Sequence, residues 1–123
     1  MTREEALSAL QDREPFLILA VVNGSQAQGT ALSDSSDFDL MGVAVPPVEH
    51  YFGLSSYGSD GTKEVREGDL DAVIYEARKM IRLLCGANPN TMCAIHTRPE
   101  DVLFTTPAGD LLRANRDMFV TKK

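Results

Sequence analysis

Apolar positions near the N-terminus follow helical spacing. In "MTREEALSAL", Ala6, Leu7 and Leu10 form one apolar stripe, as on a helix that packs one face against a core. Thr2 and Glu5 have the spacing of a capping box, in which each side chain accepts a backbone N–H of the first turn. The pattern predicts an N-terminal helix that ends before the first proline of the chain.

Three later stretches are typical of strands. Residues 16–22, "FLILAVV", form a continuous apolar run rich in branched side chains, which predicts a strand buried on both faces. Residues 38–45, "FDLMGVAV", predict a second strand that two prolines close, and residues 69–76, "DLDAVIYE", predict a third. Residues 48–68 are rich in Gly, Ser and charge. They predict a connection with one helical turn near "EHYFGL" and weak strand character near "TKEVRE".

Helical patterns dominate after the third strand. "EARKMIRLLCG" predicts a helix whose apolar side includes Met80, Ile81 and Leu84, with Gly86 as its C-cap. "NPNTMCAIH" predicts a short helix, and "TPAGDLLRANRDMF" predicts another with Thr106 as its N-cap. The order helix, strand, strand, strand, helix, helix indicates a small sheet covered by helices.

Composition and charge narrow the functional classes. The chain has 123 residues, of which 43% are hydrophobic, so it is long enough for one domain with a core. Its formal net charge is −6, which argues against a protein that grips nucleic acid through bulk positive charge. A small nucleotide, or a phosphate bridged by a metal ion, stays open as a ligand.

The cysteines and the N-terminus indicate a compartment. Cys85 and Cys93 do not resemble a disulfide framework, and we expect both to be small buried hydrophobic residues. The charged N-terminus lacks the apolar segment of a signal peptide, and the longest apolar run is far too short to span a bilayer. We therefore expect a cytoplasmic, reduced protein with no membrane partner.

Two aspartates at the start of the second strand are the main candidates for chemistry. Side chains two positions apart on a strand point to one face, so Asp37 and Asp39 aim together while Phe38 aims into the core. Two close carboxylates repel each other, and a bound cation removes that cost. Hard oxygen ligands of this kind suit Mg²⁺ or Mn²⁺. The ordinary alternative is turn chemistry, which "SDSSD" also fits.

Further polar residues extend this candidate site. Gly24 and Ser25 follow the first strand, where backbone N–H groups and a hydroxyl can hold a phosphate. Asp71 on the third strand, or Asp69, supplies a third acid if that strand pairs with the second. Three carboxylates can hold two metal ions, and Asp71 can also take a proton from an acceptor hydroxyl. Lys79 lies on the following helix, where it either forms part of a solvated face or reaches the phosphates.

The spacing of these residues resembles a known signature. Gly24-Ser25, eleven intervening positions and then "DFDL" resemble the motif of the DNA polymerase beta-like nucleotidyltransferase superfamily. More narrowly, "GSQAQGTALSDSSDFDLMGVAV" and "DAVIYEARKMIRLLCGANPN" are similar to predicted nucleotidyltransferases of the RNA-repair-ligase-associated type. By position, the resemblance implies metal binding and catalysis by Asp37, Asp39 and Asp71, with Ser25 at the triphosphate.

The resemblance also implies a fold and an activity. The expected fold is α+β (mixed α/β), the nucleotidyltransferase fold, a small mixed sheet with helices mainly on one face. Residues 1–123 are expected to be a single minimal nucleotidyltransferase domain, or the N-terminal part of a longer chain of this type. The implied enzyme uses Mg²⁺ or Mn²⁺ to transfer a nucleoside monophosphate from a nucleoside triphosphate such as ATP to a hydroxyl, with release of pyrophosphate. Gly24, Ser25 and Lys79 would bind the nucleotide, and an RNA end is one candidate acceptor.

One departure from the family pattern motivates an alternative. Gln26 and Gln28 stand where relatives often carry Arg and an aromatic residue, which removes a positive phosphate contact. The alternative is a catalytically weak nucleotide-binding module, or a minimal transferase of toxin–antitoxin type that acts with a partner protein. A homodimer is also open, and neither the acceptor nor the base preference follows from the sequence.

Overall fold

A computed structural model describes residues 3–22, 38–47, 61–67 and 70–120. The first half carries helix α1 (Arg3–Arg13) and strands β1 (Leu17–Val22), β2 (Phe38–Ala44), β3 (Thr62–Glu67) and β4 (Leu70–Glu76). The second half carries helices α2 (Ala77–Cys85) and α3 (Pro89–Ile95), a 3₁₀ turn (Pro99–Asp101), strand β5 (Val102–Thr105) and helices α4 (Pro107–Ala114) and α5 (Asp117–Val120). This is the mixed α/β architecture that the sequence predicts.

The five strands form one mixed sheet in the order β3-β4-β2-β1-β5. β2 and β4 run parallel, and the other neighbouring pairs run antiparallel. A parallel pair needs a crossover between its strands, and here β3 lies in the chain between β2 and β4. The third predicted strand therefore pairs directly with the second, which is the condition for bringing their acidic residues together.

Helices cover the sheet unequally. On one face, α1 packs through Ala6 and Leu10 against side chains that include Leu40 and Ala72 of the sheet. On the other face, α2, α3 and α5 contribute Met80, Leu84, Ala94, Ile95 and Phe119 to a second cluster with Leu19, Val21, Met41 and Val43. Residues of β4 alternate between buried and half-buried because successive side chains of a strand point to opposite faces. The helices lie mainly on one face, as predicted.

Side chains cap the N-termini of α2, α3 and α4, and the cap of α4 is the Thr106 that the sequence predicts. Asn88 caps α3 by accepting the backbone N–H of Thr91 at 3.1 Å. Thr106 caps α4, whose first residue is a proline. At α2 the cap is Glu76, a buried residue whose carboxylate accepts the N–H groups of Arg78 at 2.8 Å and Lys79 at 3.3 Å. β4 thus passes directly into α2, the helix that follows it.

The structure extends or corrects three expectations. The strand character predicted near "TKEVRE" is confirmed, and the segment forms the full six-residue strand β3. The sequence does not predict β5, because its four residues, three half-exposed and one exposed, are too few for a period to show. Cys85 and Cys93 are exposed rather than buried, since they lie on the outer sides of α2 and α3. Thr2 of the predicted capping box and the predicted helical turn near "EHYFGL" lie outside the described residues.

Candidate active site

Asp39 and Asp71 lie side by side on neighbouring strands. The parallel register of β2 and β4 aligns Asp39 with Asp71, Leu40 with Ala72 and onward to the end of both strands. Registered residues of neighbouring strands point to the same face, with backbones about 4.8 Å apart. Leu40 and Ala72 are buried on the α1 face, so the two carboxylates point to the opposite face.

This carboxylate pair is accessible and close to the end of β1. Asp39 is exposed and Asp71 half-buried, because both precede the part of the sheet that the α2 side covers. Val22, the last residue of β1, pairs with Leu40, so the chain leaves β1 beside Asp39. Gly24 and Ser25 follow within three residues, although they lie outside the described residues, as does Asp37.

An arginine continues the row of charged side chains. Arg66 of β3 pairs with Asp71 in the antiparallel register of β3 and β4. Its Nε lies 3.6 Å from Oδ1 of Asp71, and the two side chains are 74% and 47% exposed. An ion pair this exposed contributes about 0–1 kcal/mol to stability. Arg66, Asp71 and Asp39 therefore form a cross-strand row on one face, with a loosely held arginine at its outer end.

Arg66 is not among the site residues that the sequence analysis identified. The signal that points to it is the Gly68-Asp69 dipeptide, which is typical of two-residue hairpin loops. A hairpin with that loop pairs Glu67 with Leu70 and therefore Arg66 with Asp71, the register that the strands adopt. The weak strand signal of "TKEVRE" hid this relation.

Lys79 lies at the opposite end of the sheet from the carboxylate row. Its Cβ is 3.1 Å from the position that a Cβ on Gly61 would occupy, just before β3 begins. Thr62 pairs with Tyr75 whereas Arg66 pairs with Asp71, so about 13 Å of strand separates the two ends. The structure does not bring Lys79 to the carboxylates, because α2 starts only after β4 has crossed the sheet.

An apolar groove lies away from the carboxylates. It has a volume of about 510 Å³, and its lining includes Ile18, Val45, Ile81, Leu111 and Met118. Val45 follows the last residue of β2, whereas Asp39 is near the first. Ile81, predicted on the apolar side of its helix, faces this groove rather than the core. None of the described residues that line the groove is charged, and such a lining does not suit a triphosphate.

Comparisons with known proteins place this chain in a family. The sequence profile of RlaP, the RNA repair pathway DNA polymerase beta family, matches residues 2–123. The chain belongs to this family. A search of curated protein sequences gave no significant match.

A solved structure supports the fold of this RNA repair pathway polymerase beta family member. The chain is similar to a nucleotidyltransferase-like protein from Exiguobacterium sibiricum 255-15, with a TM-score of 0.54 and 15% sequence identity. The match covers 99% of this chain but only 40% of that protein. The likeness establishes a nucleotidyltransferase-like fold. In the part of the chain that the structure describes, no helix is long and apolar enough to cross a membrane.

Nucleotidyltransferases of this family type use divalent metals, and the aligned carboxylates fit such an ion in donor type and access. Carboxylate oxygens are the ligands that Mg²⁺ and Mn²⁺ prefer, and both Asp39 and Asp71 reach solvent. Among residues 3–22, 38–47, 61–67 and 70–120, no three His, Cys, Asp or Glu side chains group closely enough to hold a metal. The third predicted ligand, Asp37, lies beyond those ranges.

Proposed function

We propose that this protein is a metal-dependent nucleotidyltransferase. It transfers a nucleoside monophosphate from a nucleoside triphosphate to a hydroxyl acceptor and releases pyrophosphate. Asp37, Asp39 and Asp71 hold Mg²⁺ or Mn²⁺, and Gly24 and Ser25 bind the triphosphate. The observation that carries the proposal is the parallel register that sets Asp39 beside Asp71.

Electrostatics supports a cation at this pair. Two unit charges about 5 Å apart repel by about 1 kcal/mol in water and by several times more where water is excluded. The fold keeps two acidic side chains next to each other on one accessible sheet face, with Arg66 beside Asp71. A divalent cation would turn this repulsion into binding energy.

Asp39 and Asp71 have different roles in the proposed transfer. Asp39 holds the triphosphate side of the site, next to the loop that leaves β1, and Asp71 holds the acceptor side. The acceptor oxygen forms a bond to the α-phosphorus, and the bond from that phosphorus to the bridging oxygen of pyrophosphate breaks. The Asp71 carboxylate accepts the proton of the acceptor hydroxyl. When bound, the metal ions neutralise phosphate charge and make that hydroxyl more acidic.

The test measures release of pyrophosphate from labelled nucleoside triphosphates with Mg²⁺ or Mn²⁺ and a panel of hydroxyl acceptors. Asp39→Asn and Asp71→Asn should each lower kcat/KM by at least about 100-fold. Mutation of a residue that only orients a metal ligand lowers activity by up to about 100-fold, and loss of the ligand itself should lower it at least as much. Glu64→Gln is the matched control. It removes one carboxylate from an exposed position on the same face of β3, opposite Val73, and should leave the rate within about twofold.

A second readout does not depend on turnover. A cation present at 100 times its Kd stabilises the folded protein by about 2.7 kcal/mol, so Mn²⁺ should raise the Tm of the wild type and of Glu64→Gln. Asp39→Asn and Asp71→Asn should show little of this rise. Unchanged transfer in both Asn variants would show that the metal assignment is wrong. Triphosphate binding without transfer to any acceptor would favour the nucleotide-binding module instead.

A further inference from the structure

The order of the strands decides which residue lies at each end of the row formed by Asp39, Asp71 and Arg66. From one side to the other, the sheet presents the end of β1, then Asp39 on β2, Asp71 on β4 and Arg66 on β3. Neighbouring strands are about 4.8 Å apart. Arg66 is therefore three strand spacings, about 14 Å, from the end of β1, where the proposed triphosphate loop begins.

Arg66 is available to a ligand. Its side chain is 74% exposed, and the 3.6 Å separation from Asp71 is longer than a hydrogen bond. A guanidinium group presents five N–H donors in a planar fork that matches phosphate oxygens. Because a cation at Asp71 would repel the nearby guanidinium, loading of the site should turn Arg66 toward an incoming anion.

The position of Arg66 assigns it to the acceptor and not to the triphosphate. Asp71 stands between Arg66 and Asp39, and in the proposed reaction Asp71 receives the acceptor proton. A group bound to Arg66 is thus attached to the molecule whose hydroxyl lies at Asp71. In a nucleotide, a phosphate lies one sugar away from the 3′-hydroxyl, a separation comparable to the spacing between neighbouring strands.

We propose that Arg66 selects an acceptor that carries a phosphate next to the attacked hydroxyl, as a nucleotide or the end of a nucleic acid strand does. This inference rests on the proposed transferase function. It gives a local reason for phosphate recognition in a chain whose net charge of −6 disfavours bulk attraction of nucleic acid. Neutral sugars and protein hydroxyls would lack the group that Arg66 recognises.

The first experiment compares acceptors that carry no phosphate, a phosphomonoester or a phosphodiester. Adenosine, adenosine 5′-monophosphate and the dinucleotide ApA all offer a 3′-hydroxyl, and the last two separate a phosphomonoester from a phosphodiester. The wild type should prefer at least one phosphate-bearing acceptor over adenosine by about 10-fold or more in kcat/KM, the effect of one charged hydrogen bond. Arg66→Ala should remove that preference, so that its kcat/KM values with the three acceptors agree within about twofold. Arg66→Lys should keep part of it.

The control is Arg82→Ala, which removes the same charge from an exposed position on α2. This variant should keep the full preference. Equal preference in the wild type and Arg66→Ala would overturn the inference even if transfer itself is confirmed. A general loss of rate with all three acceptors would also overturn it, because Arg66 would then act on the site as a whole.

The second experiment separates this inference from the proposed function. Binding of a fluorescent six-nucleotide RNA is measured by anisotropy with Mg²⁺ and without nucleoside triphosphate. Arg66→Ala should weaken binding about 10-fold and make the slope of log K against log salt shallower by about 0.7, the value for one phosphate contact on a single strand. If no acceptor is modified but this Arg66-dependent binding is found, the transferase function fails and only the recognition of a nucleic acid phosphate by Arg66 stands. Equal binding by both proteins overturns the recognition by Arg66.

Discussion

Asp101 is a buried carboxylate that ties the N-terminal helix to the far edge of the sheet. It is 1% exposed and lies at the end of the 3₁₀ turn before β5. Its Oδ1 accepts a hydrogen bond from Arg3 of α1 at 2.8 Å, and its Oδ2 accepts two from Arg98 at 2.8 and 3.0 Å. Burial alone raises the pKa of Asp101, but the hydrogen bonds from Arg98 and Arg3 outweigh it and hold that pKa below its ordinary value.

The substitution Asp101→Asn keeps the shape of the side chain and removes its charge. One oxygen can still accept a hydrogen bond, while the new amide group turns N–H donors toward an arginine. Breaking a buried ion pair costs about 3–5 kcal/mol. The arginine side chains are 43% and 61% exposed and can return to water, so we expect the lower end, about 3 kcal/mol. For a domain of this length that corresponds to a Tm about 10 °C lower.

The pH dependence gives this prediction a second test. Because the folded pKa of Asp101 is lowered, its stabilisation is complete above the unfolded pKa of about 4 and is lost as the pH falls through the folded pKa. The difference in unfolding free energy between wild type and Asp101→Asn should be full at pH 7 and should shrink below about pH 4.

The assay is urea unfolding of both proteins at pH 7, 5 and 3.5, with Asp12→Asn as a matched control at an exposed position of α1. The control should change the unfolding free energy by less than about 0.5 kcal/mol. A loss in Asp101→Asn no larger than in the control, or a loss that stays constant down to pH 3.5, would refute this reasoning.

Three further substitutions test the packing around the sheet. Gly109→Ala should lower the free energy of unfolding in urea by about 1–3 kcal/mol, because the new Cβ would overlap the carbonyl oxygen of Ile18 and lie 2.6 Å from Oγ1 of Thr105. Helix propensity alone predicts that this free energy rises by about 1 kcal/mol, and such a rise would contradict the prediction. Glu76→Ala removes the cap of α2 and should cost about 1–2 kcal/mol, with faster amide exchange in the first turn of that helix but not in α4. Leu84→Ala empties a fully buried position and should lower the free energy of unfolding by about 2–5 kcal/mol in thermal unfolding. A loss under 1 kcal/mol would show that the surrounding side chains close the gap.

The local elements were readable from the sequence because each carries its own signal. β1 is a continuous apolar run, β4 alternates, and α4 begins at a Thr-Pro start, so their boundaries follow within a few residues. Asp39 stood out for the same reason, since an acid inside an apolar strand contradicts its surroundings. The family signature added a function that periodicity alone does not supply.

Strand pairing was decided only in the folded chain. Nothing local in β2 specifies that Asp39 aligns with Asp71 rather than with a residue one or two positions away. β5, whose four residues are half-exposed or exposed, pairs with the edge of β1. Lys79 lies near Gly61, at the other end of β3 from Arg66, which its position in the sequence does not show. Sequence periodicity reports which face of an element is buried, whereas the contents of a site depend on register between elements distant in the chain, which the packing of the whole sheet sets.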